Sequence, residues 1–513
     1  MGNERFSKVI TASVNGLDTE LVTVETDLTA GLPAFNLVGL PGSAVKESKE
    51  RVRAAIVNSG YDFPLRRITV NLSPADTRKD GSHFDLPIAV GIMAGAEKGR
   101  IDVPGPGRVA FLGELSLDGM LNRVSFVVAM ALGLQENGVD HIFLPADNIR
   151  EAEELPGLFF YPAFTLAEVV GHLLGGGKIS PVRGGFRKKK KQEHVLDADD
   201  YYDVKGQESI KRALVIAAAG AHDVCLTGPP GVGKSMLAKR LPGILPPLTD
   251  EESSEVTRIH SIACEQTDGR GLMTGRPFRA PHHSATHTAI IGGGTRPRPG
   301  ELSLAHHGVL FLDELPEFER RTLDMLRQPL EDRYIDLSRV GFKGRYPCDF
   351  MLVAAMNPCP CGYKGDPAHE CRCTQTQIQK YLSKLSGPLL DRIDIHIRLG
   401  AVEEAEFSED ESPRACMSTE TMRKLALDAR EKGRARNPSR ALNARLSAEG
   451  VRQVCKMEKE AEDLLKQAYE HYAFSVRVRS KLIKVARTIA DVSGEETIRR
   501  EHMAEAVYYR GVG

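Results

Sequence analysis

The sequence predicts an α/β protein of more than one domain that closes in a helical segment. Three observations carry this prediction. Strand-like and helix-like periodicities alternate over residues 1–175. A phosphate-loop pattern, Gly228-Pro229-Pro230-Gly231-Val232-Gly233-Lys234-Ser235, stands between a short apolar run and a helical one. Further on, the run Val309-Leu310-Phe311-Leu312 ends in Asp313-Glu314, as a buried parallel strand does when it delivers carboxylates at its C-terminal end.

Composition bounds the rest. At 513 residues the chain is too long for one hydrophobic core. Hydrophobic residues at 41% and charged residues at 27% are ordinary for a soluble globular protein. A net charge of −1 excludes a global nucleic-acid footprint, so any DNA contact must come from local patches. No charged-then-apolar opening and no apolar run of membrane-spanning length is found, so the expectation is a cytoplasmic protein with no membrane partner. Nine cysteines in so long a chain do not make a disulfide scaffold.

In the first domain, 1–175, residues 9–14, 19–26 and 67–72 read as strands, and 43–59 and 86–96 as helices. The segments Leu40-Pro-Gly-Ser-Ala-Val-Lys-Glu-Ser48, Asn71-Leu-Ser-Pro-Ala-Asp76, Lys79-Asp-Gly-Ser-His-Phe-Asp-Leu86 and Gly113-Glu-Leu-Ser-Leu-Asp-Gly119 resemble the Lon-protease-like domain of the ComM/YifB family. That resemblance implies a ribosomal protein S5-like α/β fold. It puts His83 where the nucleophilic serine belongs and Val128 where the lysine base belongs. Valine cannot activate a nucleophile, so the dyad is expected to be absent; Ser82, one position away, leaves an unusual hydrolase open.

Residues 176–200 read as a linker, with Gly175-Gly-Gly177 at its start and the basic run Arg187-Lys-Lys-Lys-Lys191 further along. The run is either a solvated tether or an arm contacting phosphates.

Residues 201–400 carry the nucleotide chemistry. Residues 223–227 read as the strand entering the phosphate loop, and 236–241 as the helix leaving it. Backbone amides of residues 228–235 would cradle the phosphates, Lys234 would reach the β- and γ-phosphates, and Ser235 would bind Mg²⁺. Asp313 would hold Mg²⁺ through water, and Glu314 would orient and deprotonate the attacking water. ATP and Mg²⁺ are the expected ligands. Gly206-Gln207, before the helix 210–219, is similar to the element that packs near the adenine in AAA+ ATPases. Residues 350–356 read as a strand ending at Asn357, whose amide suits the sensor-1 role of bonding the attacking water or γ-phosphate.

The insertion between the loop and the acidic pair carries Arg276, Arg279, Arg296 and Arg298, and resembles the helix-2 insertion of chelatase-like AAA+ proteins. His282, His283, His287, His306 and His307 are read as loop or structural histidines, since no carboxylate or cysteine pattern joins them. Residues 319–330 read as one helix. Residues 333–339 and 343–347 read as a hairpin with Arg333, Arg339, Lys343 and Arg345, either solvated or lining a channel. Cys359, Cys361, Cys371 and Cys373 have the ligand count of a tetrahedral zinc site, with free thiols or a redox pair as the alternatives. The segment Ser386-Gly-Pro-Leu-Leu-Asp-Arg392 resembles the one bearing the arginine finger, which implies that Arg392 acts on a neighbouring subunit.

Residues 401–513 read as a helical lid after an acidic, irregular stretch at 401–418. Ser475-Val-Arg477, ahead of the helix 480–490, resembles a sensor-2 segment, with Arg477 favoured over Arg479. Taken together, the chain resembles the ComM/YifB family of magnesium-chelatase-like AAA+ ATPases. The resemblance implies a hexameric, ATP-hydrolysing DNA helicase or branch-migration factor in recombination or natural transformation, with branched or single-stranded DNA as partner. A protein-remodelling ATPase and a chelatase-type motor subunit are the alternatives.

Overall fold

A computed structural model describes residues 6–97, 101, 109–185, 200–263, 271–294, 297–339, 342–400 and 417–510. The basic run 187–191, Arg296, the side chains of Arg339 and Lys343, and the acidic stretch up to 416 lie outside the described residues. Two compact units emerge: Met1–Lys190 with Asp250–Met273 and Ser338–Arg345, and Lys191–Thr249 with Thr274–Leu337 and Tyr346–Gly513. None of the described helices is long and apolar enough to cross a membrane.

The first unit is built on an eight-stranded mixed sheet. Its long hairpin, Phe6–Asn15 with Asp18–Thr29, pairs in register from Phe6 opposite Asp27 to Asn15 opposite Asp18. Alternation in Asp18–Thr29 turns Val22, Val24, Thr26 and Leu28 inward, as the two-residue period of a strand requires. The helices Ser43–Asn58 and Asp85–Ala96 cover that face with Val52, Ile56, Ile88 and Ile92. The expected strands and helices of this region are present within a few residues of their expected ends. Although it follows the phosphate loop in sequence, the helix Asp250–Ile262 belongs to this unit, where it lies against Val127–Glu136. Arg258 is ion-paired with Glu136 there, and the Leu272 amide donates to Glu154 at 2.9 Å.

The second unit holds a five-stranded, all-parallel sheet in the order Phe278–Arg279, Val309–Leu312, Met351–Met356, Val224–Thr227, Ile395–Arg398. The middle strands are nearly continuous apolar runs because helices cover both faces. Strand Val224–Thr227 sits between the fourth and fifth strands in chain order, where the sheet reverses its winding. Ligands of such sheets bind beyond the C-terminal strand ends at that point.

The C-terminal helices, among them Thr419–Arg436, Lys459–His471 and Val476–Ser493, share one apolar core with this sheet. Met422, Leu482 and Ile489 pack into the same cluster as Val224, Val353 and Ile395. Buried charges tie them further. Burial alone would raise the Asp394 carboxyl, but ion pairing with Lys481 and a 3.0 Å contact to His222 hold it well below the usual carboxylate range. Arg445 reaches Asp349 at 2.9 Å.

Two expectations are corrected here. The single helix expected over 319–330 is two short ones, Arg320–Met325 and Arg327–Asp332. Pro329 has no amide to give the Met325 carbonyl, and its ring crowds that group, so the helix breaks between them. Arg333, expected on the hairpin, precedes its strands Tyr334–Arg339 and Phe342–Pro347. It turns inward, donating to the Phe350 carbonyl at 2.9 Å and lying 3.4 Å from Asp223.

Candidate nucleotide site

The site assembles at the C-terminal ends of three neighbouring strands. Strand Val224–Thr227 runs into the loop, and the helix Lys234–Arg240 leaves it. Gly231 and Gly233 have φ of 84° and 87°, a region that L side chains rarely adopt, so glycine lets the loop close. The Lys234 ammonium donates to the Gly228 and Pro229 carbonyls at 2.6 and 2.8 Å and to Asn357 Oδ1 at 3.0 Å. Burial lowers its pKa, against the pull of Asp313 and Glu314. Ser235 Oγ donates to Asp313 Oδ2 at 2.7 Å, and the other Asp313 oxygen accepts the Glu314 amide at 2.9 Å.

Sequence-expected Lys234 is thus bonded to Asn357 and Ser235 to Asp313, with Glu314 next after Asp313. Hydroxyl and carboxylate together are hard oxygen ligands of the kind Mg²⁺ takes, so these residues fit that ion. Gln207 bonds the loop through Nε2 to the Val232 carbonyl at 3.3 Å. His283 Nδ1 lies 3.2 Å from Glu314 Oε2, a contact that sequence reasoning missed, since nothing in the spacing distinguishes this histidine from its neighbours.

Arg392 and Arg477 are brought to each other instead. Both meet Glu331, at 3.1 and 2.7 Å, and Arg392 also donates to the Pro388 carbonyl at 2.7 Å. Among the described residues, neither bonds the phosphate loop or the acidic pair. Arg477 lies inside the helix Val476–Ser493, which Ser475 caps by accepting the Val478 amide. Glu331, the residue that gathers the two arginines, carried no sequence signal.

Family comparison matches residues 200–407 to magnesium chelatase, subunit ChlI, residues 24–148 to subunit ChlI of Mg-chelatase, and residues 416–510 to the ChlI C-terminal region. The chain is 42% identical to the YifB protein of Escherichia coli (strain K12) over 99% of its length and 97% of that protein. It is also 42% identical to the competence protein ComM of Haemophilus influenzae, over 97% of the chain and 96% of ComM. The chain belongs to the ComM/YifB family of magnesium-chelatase-like AAA+ proteins. A more distant match, 24% identical, covers 29% of the chain and 20% of the Lon protease of Buchnera aphidicola.

In this ComM/YifB chain His83 and Val128, expected at the dyad positions, are both buried. His83 Nε2 lies 2.9 Å from the Ala12 carbonyl, and burial pulls its pKa down to about 4. Val128 is fully buried in the helix Val127–Glu136. Asp85, whose carboxyl burial raises to about 6 against the nearby Arg51, takes that guanidinium at 2.7 and 3.0 Å. A histidine held neutral when folded but protonated when unfolded costs stability as pH falls from about 6.5 towards 4. His83 alone should therefore cost roughly 3 kcal/mol in that window, opposed by Asp85, whose raised carboxyl takes its proton in the fold and adds stability as pH falls from about 6 towards 3.8. Urea titrations at pH 7 and 4.5 check this, with His83→Gln expected to keep more stability at pH 4.5, relative to pH 7, than the wild-type chain.

The cysteines come together as the spacing allowed. Cys359 Sγ lies 3.4 Å from Cys361 Sγ and 3.6 Å from Cys371 Sγ, Cys361 lies 3.7 Å from Cys371, and Cys373 completes the group. These separations far exceed a disulfide bond. They approach the roughly 3.8 Å between sulfurs at tetrahedral corners about 2.3 Å from zinc.

Two of the insertion arginines have internal partners. Arg276 donates to the His307 carbonyl at 2.6 Å, and Arg279 makes a two-bond ion pair with Glu301 at 2.6 and 2.7 Å. Arg298 and Arg345 are exposed. Of the expected histidine group, the His282 and His283 rings lie 4.0 Å apart and tilted by 34°, and His306 Nδ1 accepts the Asp349 amide at 2.9 Å.

Proposed function

We propose that the chain is a Mg²⁺-dependent ATPase that works as a homo-oligomeric ring, a hexamer, and acts on branched or single-stranded DNA. The observation carrying the ATPase reading is the placement at adjoining strand ends of two hydrogen-bonded pairs, Lys234 with Asn357 and Ser235 with Asp313. In this reading Lys234 leaves the Gly228 and Pro229 carbonyls for the β- and γ-phosphates. Ser235 and Asp313 hold the metal, whose charge offsets the charge developing on the transferred phosphoryl group. Glu314, released from His283, takes the proton of the attacking water, and Asn357 orients that water. Arg392 and Arg477, paired through one carboxylate, serve together at a neighbouring subunit's γ-phosphate.

The functional division is 1–175 as a proteolytically inactive Lon-like domain, 176–200 as linker, 201–400 as ATPase domain and 401–513 as lid. A serine-directed acylating reagent is expected to leave Ser82 unlabelled, and mass spectrometry of the treated chain checks this. The four cysteines hold a structural zinc ion. About one zinc per chain is expected by elemental analysis of protein prepared without chelator, and Cys359→Ser should reduce it.

The DNA reading rests on a relative whose name is competence protein and on the exposed cations Arg298 and Arg345. Labelled four-way DNA should be resolved with ATP by the wild-type chain and not by Glu314→Gln. Binding should weaken with salt at a log–log slope of about −0.7 to −0.9 per phosphate contact. Internal pairing of Arg276, Arg279 and Arg333 favours the second reading, a protein remodeller. That reading takes over if the chain neither binds DNA at low salt nor resolves the junction.

A further inference from the structure

Beyond the phosphate cradle lies a cleft of about 440 Å³, a size that suits a small-molecule site. One wall is the expected one, with Val204 and Gln207 from the element before the phosphate loop and Met236 from the helix after it. The opposite wall is the segment between the two cysteine pairs, which contributes Tyr363, Asp366 and His369. This segment has neither helix nor strand. Its shape is a turn in which the Asp366 amide donates to the Tyr363 carbonyl at 3.1 Å and Asp366 Oδ1 accepts the Ala368 amide at 2.8 Å. The Tyr363 and His369 rings lie 4.7 Å apart, tilted by 31°. Gly362 is buried against the phosphate loop so closely that a Cβ there would stand 2.6 Å from Pro230 Cδ. The segment therefore rests on the loop at one point and is held at both ends by the four sulfurs.

We propose that the four-cysteine loop is the outer wall of the nucleotide pocket, with Tyr363 and His369 against the base, and that metal on Cys359, Cys361, Cys371 and Cys373 sets nucleotide affinity. The inference rests on the nucleotide and zinc readings above. A planar heterocycle presents its faces to aromatic rings, and an exocyclic amine finds an acceptor in the Asp366 carboxylate, whose Oδ2 lies 3.4 Å from His369 Nδ1, so the base is one that carries an amino group. Without the metal the wall has no fixed ends and holds its binding shape for only part of the time. A wall competent one-tenth of the time weakens apparent affinity about tenfold.

The test is calorimetric binding of ADP with Mg²⁺ to the full chain, as zinc-loaded, chelator-stripped under reducing conditions, and re-zincated forms. Stripping should weaken ADP binding about tenfold, and zinc should restore it. The double variant Tyr363→Ala with His369→Ala should bind ADP similarly weakly while keeping its zinc, and its affinity for inorganic triphosphate should stay within about twofold of wild type. Equal ADP affinity of loaded and stripped chains overturns the proposal, as does a metal-free preparation that binds ADP as tightly as after zinc addition. Wild-type affinity in the double variant also overturns it. In each of these cases Lys234→Ala still abolishes binding, and the nucleotide reading stands. If Lys234→Ala binds ADP like wild type, the nucleotide reading and this inference fall together.

Discussion

Arg392→Ala is expected to lower ATP turnover by about 10³–10⁵-fold while leaving ATP affinity close to wild type. Affinity should survive because the bonds of Arg392 run to Glu331 and the Pro388 carbonyl, not to the loop of its own subunit. Mixing Arg392→Ala with Lys234→Ala chains should recover part of the turnover, since some interfaces then pair an intact finger with an intact loop. Steady-state phosphate release across mixing ratios measures this. A flat response across all ratios removes the neighbour-acting role. Arg477→Ala should fall in the same direction, because one carboxylate positions both guanidinium groups.

Glu314→Gln is expected to bind ATP and to lose about 10²–10⁴-fold in turnover, the range of a general base. The amide keeps the size of the side chain but cannot take the proton. Its φ of 51° is set by the backbone turn after Asp313, and the hydrogen bonds of Lys234, Ser235 and Asn357 do not involve its side chain. Lys234→Ala should instead lose binding itself, since that ammonium supplies the buried positive charge of the cradle. Equilibrium nucleotide binding measured beside phosphate release separates the two. Unchanged turnover in Glu314→Gln would move the base elsewhere, with His283 the adjacent group to examine.

The site was legible where its residues are bound to local form. Phosphate-loop glycines, the apolar run before Asp313 and the one before Asn357 each announce a strand end, and strand ends in a parallel sheet meet. The cysteines were legible as a group because a short loop brings close spacings together. Long-range charge pairing left no such trace. Arg333 finds Asp223, Arg279 finds Glu301 and Arg392 finds Glu331 across separations on which periodicity is silent, so these pairings could not be read from the sequence. The helix break at Pro329 was readable from the missing amide, but the helical pattern on either side outweighed it.

The C-terminal helices and the parallel sheet share a single apolar core, crossed by the Lys481–Asp394 and Arg445–Asp349 pairs. Hinging one against the other would open that core and strand the buried Asp394 carboxylate, a loss of several kcal/mol. The two parts should therefore behave as one lever arm. Nucleotide turnover in a ring would then rotate whole subunits about their shared faces, and the stroke would be delivered at the joints between chains. Amide exchange should accordingly leave the 482–490 and 351–356 backbones equally protected with and without ATP.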